Sequence, residues 1–175
     1  MNLSETDRAY IAGYYDGEGT ITIGFSSKQC SLNSKRYWYP RAQLVIVSKN
    51  KSILDEIQSL FELGHVYMRE GPTPPHNLIG SYRISIRRDI LKFIDAIEPY
   101  LKEKKDAVEN VKQCLIYMEQ IKLQGHKWAP EQIVKMKEYM EKSRLLKMRD
   151  CSSPDAIGKG NKPKYARPSA YTLNY

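Results

Sequence analysis

Thr20-Ile21-Thr22-Ile23-Gly24-Phe25-Ser26 alternates strictly, and a period of two sends Ile21, Ile23 and Phe25 to one face of a strand. Thr20, Thr22, Gly24, Ser26 and then Lys28 share the other face. The return strand, Arg41 to Val47, opposes Arg41, Gln43 and Val45 to Leu44 and Ile46, with the polar stretch Lys28 to Tyr39 as a long hairpin tip. His65 to Arg69 presents Tyr67 and Arg69 together, and Gly71 to Pro75 is a loop. Tyr82 to Arg87 sets Tyr82, Ile84 and Ile86 against Arg83, Ser85 and Arg87. Four strands therefore share one design: an apolar face opposite a polar, mostly basic one.

Helical spacing fills the intervals. Ser4 and Asp7 suggest a capping box before a helix over Asp7 to Tyr15, which stops near Gly17 or Gly19, where glycine can take positive φ. Ile53, Leu54, Ile57, Leu60 and Phe61 form a stripe on a helix from about Lys49 to Phe61, ended by Gly64. Ile90, Leu91, Phe93, Ile94 and Ile97 make a short helix that Pro99 interrupts, and a long one follows from about Leu101 to Lys122. Gly125 to Pro130 is a linker, and Pro130 suits the first turn of a last helix through about Lys147. We expect one domain over residues 1–150 and a basic, irregular tail over residues 151–175.

Charge narrows the partner. A formal net charge of +8 favours a polyanion, either nucleic acid or an anionic membrane. No apolar run approaches the ~18 residues a membrane span needs, so a soluble intracellular protein with no membrane partner is expected. A basic membrane-surface protein fits the charge but not the alternating strands. Arginine, glutamine and hydroxyl side chains repeated on one sheet face suit phosphates and base edges. Cys30, Cys114 and Cys151 are far apart, as are His65, His76 and His126, which excludes a disulfide framework, a zinc cluster or a Cys/His nucleophile. No small-molecule substrate is expected.

The stretch Ile11-Ala12-Gly13-Tyr14-Tyr15-Asp16-Gly17-Glu18-Gly19 carries the chemistry. Ala12, Gly13 and Gly17 follow helical spacing, so a second helix could approach closely along that side. Asp16 and Glu18 stand at a helix C-terminus, where the dipole disfavours carboxylates. A divalent cation supplies a reason for them, since Mg²⁺ takes one or two carboxylates with carbonyls, waters and phosphate oxygens. The same four residues also suit an ordinary polar turn.

This nonapeptide resembles the LAGLIDADG motif of homing endonucleases, with Gly13, Asp16, Gly17 and Gly19 matching and Glu18 standing where Asp is commoner. Lys49 to Leu63, Gly64-His65-Val66 and Pro99-Tyr100-Leu101 resemble later landmarks of the single-motif members, over roughly residues 5 to 120. The resemblance implies an αββαββα fold of α+β class with a saddle-shaped antiparallel sheet laid over double-stranded DNA, here with additional C-terminal helices. It implies hydrolysis of phosphodiesters with Mg²⁺, or with Mn²⁺ or Ca²⁺ bound in its place. Glu18 and the Gly17 carbonyl would hold the metal, and Lys104, in Pro99-Tyr100-Leu101-x-x-Lys104, would reach the active site. A further polar residue at the start of the helix after the second strand falls at Ser48, Lys49 or Asn50, with Ser48 our choice.

On the same grounds Thr20, Thr22, Ser26, Lys28, Arg41, Gln43, Tyr67, Arg69, Arg83, Ser85 and Arg87 are expected to contact DNA. One copy of the motif gives half an active site, so a homodimer on a nearly palindromic DNA site is expected, joined through Ile11, Ala12, Gly13 and Asp16. The alternative keeps the fold without cleavage, as an RNA-splicing maturase or a DNA-binding regulator. Such a protein need keep neither Glu18 nor Lys104, and both are present.

Overall fold

The computed structural model describes residues 3–29, 36–70, 78–121 and 128–150 of the 175. Its elements run α1 (Glu5–Glu18), β1 (Gly19–Gln29), β2 (Arg36–Ser48), α2 (Lys51–Phe61), β3 (His65–Glu70), β4 (Leu78–Ile84), α3 (Arg87–Ile97), α4 (Lys105–Gln120) and α5 (Pro130–Asp150), with a 3₁₀ turn at Glu98–Tyr100. The expected order αββαββα is therefore present, followed by two further helices. The strands form one sheet in the order β1-β2-β4-β3, every neighbouring pair antiparallel.

Alternation decides which face is covered. Ile21, Ile23, Ala42, Leu44, Ile46, Tyr82 and Ile84 are buried in the core with Ile11, Ala12 and Tyr15 of α1, Leu54, Ile57 and Phe61 of α2, and Ile90, Phe93, Ile94 and Ile97 of α3. Phe93 joins three elements, its ring centroid lying 6.1 Å from Tyr15, 4.4 Å from Phe61 and 6.2 Å from Tyr82. Such clusters account for most of the stability of amphipathic helices too short to persist alone. α4 and α5 are pinned together by Asn110, whose Nδ2 donates to the Tyr139 carbonyl at 3.0 Å and to Ser143 Oγ at 2.8 Å. Beside this pair the buried Cys114 thiol, raised by burial and eased back by Arg87, is pushed up to about 12.

Several boundaries differ from those expected. Strand pairing extends into the supposed hairpin tip, with Lys28 opposite Tyr37 and Ser26 opposite Tyr39. The ladder of main-chain pairing from Gly19–Ile46 to Gln29–Arg36 carries both strands through the polar composition of the segment. Arg87 is the first residue of α3 and so leaves the strand row, and Ile86, placed on the apolar face by alternation, is instead 63% exposed as the residue preceding that helix. The short helical stripe Ile90, Phe93, Ile94 and Ile97 captures the chain, so that β4 ends at Ile84, three residues before the period-two pattern does. α4 begins at Lys105, not Leu101. α2 ends on Glu62 at φ 53°, with Gly64 following at φ 67°, where a Cβ would strike the Arg83 carbonyl. Gly19 does not use positive φ, since it is extended at φ −81°. It is glycine because a Cβ there would collide with the Tyr15 ring. The loop at residues 71–75 and the tail at residues 151–175 lie outside the described residues.

Candidate active site

The C-terminal end of α1 is where distant parts of the chain meet. A helix leaves its last carbonyls unpaired and its end partially negative. Here the Gly19 amide donates to the Tyr15 carbonyl, and Lys104 brings a positive charge to the same end: its Nζ donates to the Gly19 carbonyl at 2.8 Å and to the Tyr15 carbonyl at 3.1 Å, and lies 5.8 Å from the centre of the Tyr15 ring. Asp16 faces the same segment in the opposite sense. Its Oδ2 accepts from the Lys102 amide at 2.8 Å and the Glu103 amide at 3.4 Å, and its Oδ1 accepts from the Lys104 amide at 3.1 Å. These amides lead into the N-terminus of α4, whose dipole favours a carboxylate. Burial, and after it the Asp16 charge, hold the Tyr15 phenol well above its ordinary range.

Glu18, the last residue of α1, is exposed and enters none of the ion pairs among the described residues. With the exposed Gly17 beside it, it is the carboxylate left free at this end, since Asp16 is committed to amides. One carboxylate and one carbonyl suit an octahedral cation that keeps waters and takes substrate phosphate oxygens. The described residues contain no cluster of three or more Asp, Glu, His or Cys, so a metal here would depend on the substrate or a second copy for further ligands.

Glu18 is followed directly by β1, whose polar residues lie on the uncovered sheet face. Thr20, Thr22, Arg41, Tyr67, Arg69, Arg83 and Ser85 are exposed and Ser26 and Gln43 half-buried. Pairing brings Thr22 opposite Gln43, and Val45, Arg83 and His65 into one row. Arg83 is held there: its Nε donates to Ser81 Oγ at 3.1 Å and its guanidinium carbon lies 5.5 Å from the Tyr67 ring centre. An Arg41 terminal nitrogen donates to Ser85 Oγ at 3.2 Å. Lys28 belongs to β1, but its side chain lies outside the described residues. Arg87, in α3, does not join this face.

Two further groups lie beside the expected residues. His65 lies on the same row, and the alternation that selected Tyr67 and Arg69 would have found it. Ser143, Arg144 and Lys147 of α5 line a cavity of about 180 Å³ with Thr22, Ile23 and Met140, a tertiary approach that no local pattern encodes.

Asn50 Oδ1 accepts from the Ser52 amide at 3.1 Å and so caps α2, and Ser48 Oγ accepts from the Asn50 amide at 3.0 Å, which holds that capping residue. Exposed Lys49 takes part in neither bond. Ile11 and Ala12, expected at an interface between copies, are wholly buried in the chain's own core, and Asp16 is occupied as described. Both apolar residues fall on the stripe that faces the sheet. The open side of α1 carries Tyr10, 52% exposed, with Gly13 and Gly17, at both of which a Cβ would meet nothing within 4 Å.

The fold thus defines a class: an αββαββα unit with one sheet face open and an acidic helix end at its border. The chain belongs to the LAGLIDADG endonuclease family, whose model matches residues 11–115. It is similar in fold to the homing endonuclease I-CvuI in complex with its target in the presence of Ca (20% identity, 81% of this chain and 82% of that one, TM-score 0.64). It is also similar to the archaeal intron-encoded homing endonuclease I-Vdi141I complexed with DNA (15%, 92% and 89%, TM-score 0.59) and to the homing endonuclease I-TnaI (20%, 85% and 96%, TM-score 0.58). A comparison with curated protein sequences gave no match. Among the described residues no helix is long and apolar enough to cross a membrane.

Proposed function

We propose that this chain is a site-specific endonuclease that binds a long, nearly palindromic double-stranded DNA as a homodimer and hydrolyses a phosphodiester in each strand with a divalent cation. The observation that carries this reading is that Lys104, 86 positions from Glu18 in the chain, bonds the carbonyls of Tyr15 and Gly19 at the end of α1 where Glu18 stands and from which β1 begins. I-CvuI, similar in fold, has been crystallised with DNA in the presence of Ca or Mg, which supports the choice of a divalent cation.

Glu18 and the Gly17 carbonyl would hold the cation, which when bound polarises the scissile phosphate and lowers the pKa of a water. Lys104 places a positive charge at the same end, where it can offset the negative charge that grows on the phosphoryl oxygens. Arg83, Arg41, Gln43 and Thr22 project from paired strands, so each can be kept in register with a base edge or phosphate. One chain provides one such end, and two strands need two. The open side of α1 at Tyr10, Gly13 and Gly17 is the place for a second copy to pack, and sedimentation of the chain as a monomer with and without DNA would remove the dimer from this reading.

The test is metal-dependent cleavage of a target selected from a randomised DNA library. Glu18→Gln is expected to abolish cleavage and leave specific DNA binding intact. Full activity in that variant refutes the metal assignment. Specific nucleic-acid binding by wild type with no cleavage under any divalent cation points instead to a splicing or regulatory descendant of the fold.

A further inference from the structure

Asp16 and Lys104 each take backbone groups from the other's segment, and no ion pair between the two charges is formed. The carboxylate of Asp16 takes the amides of residues 102, 103 and 104, while the ammonium of Lys104 takes the carbonyls of residues 15 and 19, which flank Asp16. Lys104 itself has φ −95° and ψ 13°, outside helical geometry, and its side chain makes no cap for α4. The turn before α4 therefore gets its amide partners from across the molecule.

We propose that Asp16 is a positioning residue: it fixes the turn at residues 102–104 so that the Lys104 ammonium is delivered to the end of α1, and it acts on cleavage only through Lys104. The proposal rests on the reading of Lys104 given above. Three charge-assisted bonds to consecutive amides define the turn's position along both its axis and its rotation, which one bond could not. A lysine stem has four rotatable bonds, so the ammonium can hold two carbonyls only if its Cα is already placed. Asp16→Asn keeps the size, but its amide nitrogen is a donor and would face a backbone donor.

Two readouts test this. Asp16→Asn should slow single-turnover cleavage on the order of 10- to 100-fold, the scale of a misplaced catalytic group. The double variant Asp16→Asn/Lys104→Ala should be no slower than Lys104→Ala alone, because the second change removes what the first misplaces. Multiplying losses in the double variant would overturn the proposal, since a general structural defect adds to the loss of the lysine. The second readout needs no cleavage. Amine labelling of Lys104 by reductive methylation, read by mass spectrometry, should be slow in wild type and several-fold faster in Asp16→Asn, with Asp16→Glu restoring slow labelling. Equal rates in wild type and Asp16→Asn would overturn the positioning role. A chain that never cleaves DNA but shows the labelling change would instead refute the proposed function and leave the positioning role standing.

Discussion

The two ends of α1 solve the same problem by opposite means. At the N-terminus, Ser4 Oγ accepts from the Asp7 amide at 3.1 Å and Asp7 Oδ2 accepts from the Ser4 amide at 3.1 Å, so the partners are three residues apart. At the C-terminus the Gly19 amide donates to the Tyr15 carbonyl, but the further donor to that carbonyl and the side-chain donor to the Gly19 carbonyl come from Lys104, up to 89 positions away. A locally capped end forms whenever the helix forms. A remotely capped end exists only when the whole domain is assembled, and it brings into one place side chains that chemistry requires together. Asp16 shows the difference most clearly. A carboxylate at a helix C-terminus looks misplaced until the N-terminus of α4 is found in front of it.

The largest expected effect comes from breaking the remote end at its closest approach. In Gly19→Ala the new Cβ would overlap the Tyr15 ring, which is wholly buried and cannot swing away, so stability should fall by about 3 kcal/mol or more. Cleavage should fall further than the folded fraction does, because the Gly19 carbonyl that holds Lys104 moves. Gly17→Ala, two positions earlier, meets nothing within 4 Å in its own chain, so the isolated chain, unfolded at a dilution where copies do not associate, should hold or gain stability by up to about 1 kcal/mol, as alanine does within a helix. Urea unfolding of both variants measures the contrast. Equal stabilities would mean that the close packing at Gly19 is not what defines this end.

Breaking the local end should do less. Ser4→Ala removes the acceptor for the Asp7 amide, a loss of about 1 kcal/mol, and leaves the cleavage rate of the folded protein unchanged. A loss of catalysis at constant folded fraction would show that the two ends are coupled and would erase the distinction between them.

The same distinction explains what could be read from the sequence. The capping box, the alternating strands and the apolar stripes are short-range patterns, and Thr22, Gln43, Tyr67, Arg69 and Arg83 fell where alternation put them. Arg87 did not, because a helical stripe beginning at Ile90 outweighed the last three residues of strand pattern. Lys104 was reached through family resemblance alone, since nothing within its own segment marks it. The role of Asp16 in holding amides and the burial of Ile11 and Ala12 were missed for a related reason. A helix has several faces with small or apolar residues, and which of them meets the sheet is decided by packing, not by spacing. The approach of α5 to Thr22 is likewise a product of the α4–α5 pairing through Asn110.

The smallest effect at neutral pH, and the most discriminating above it, belongs to Tyr15, one turn inside the remote end. Its hydroxyl is buried with no hydrogen-bond partner among the described residues, so Tyr15→Phe removes an unsatisfied polar group and keeps the ring against Phe93. Stability at pH 7 should stay within about 1 kcal/mol of wild type or rise, and a larger loss would reveal a partner for the hydroxyl. The phenol's pKa in the folded chain is raised above its ordinary value of 10.0, first by burial and then by the Asp16 charge. The unfolded chain therefore releases this proton near pH 10 while the folded one keeps it, so the stability is fully present below that pH and is lost as pH rises through it. The loss steepens toward about 1.4 kcal/mol per pH unit for one group. Tyr82, also raised by burial, titrates in the same sense and remains in the variant, so the informative quantity is the difference between the two pH profiles. Wild type should lose stability faster than Tyr15→Phe above pH 10 and match its slope below. Parallel profiles above pH 10 would mean that solvent reaches the phenol, and with it that the end of α1 opens more readily than its clasp of amides and carbonyls implies.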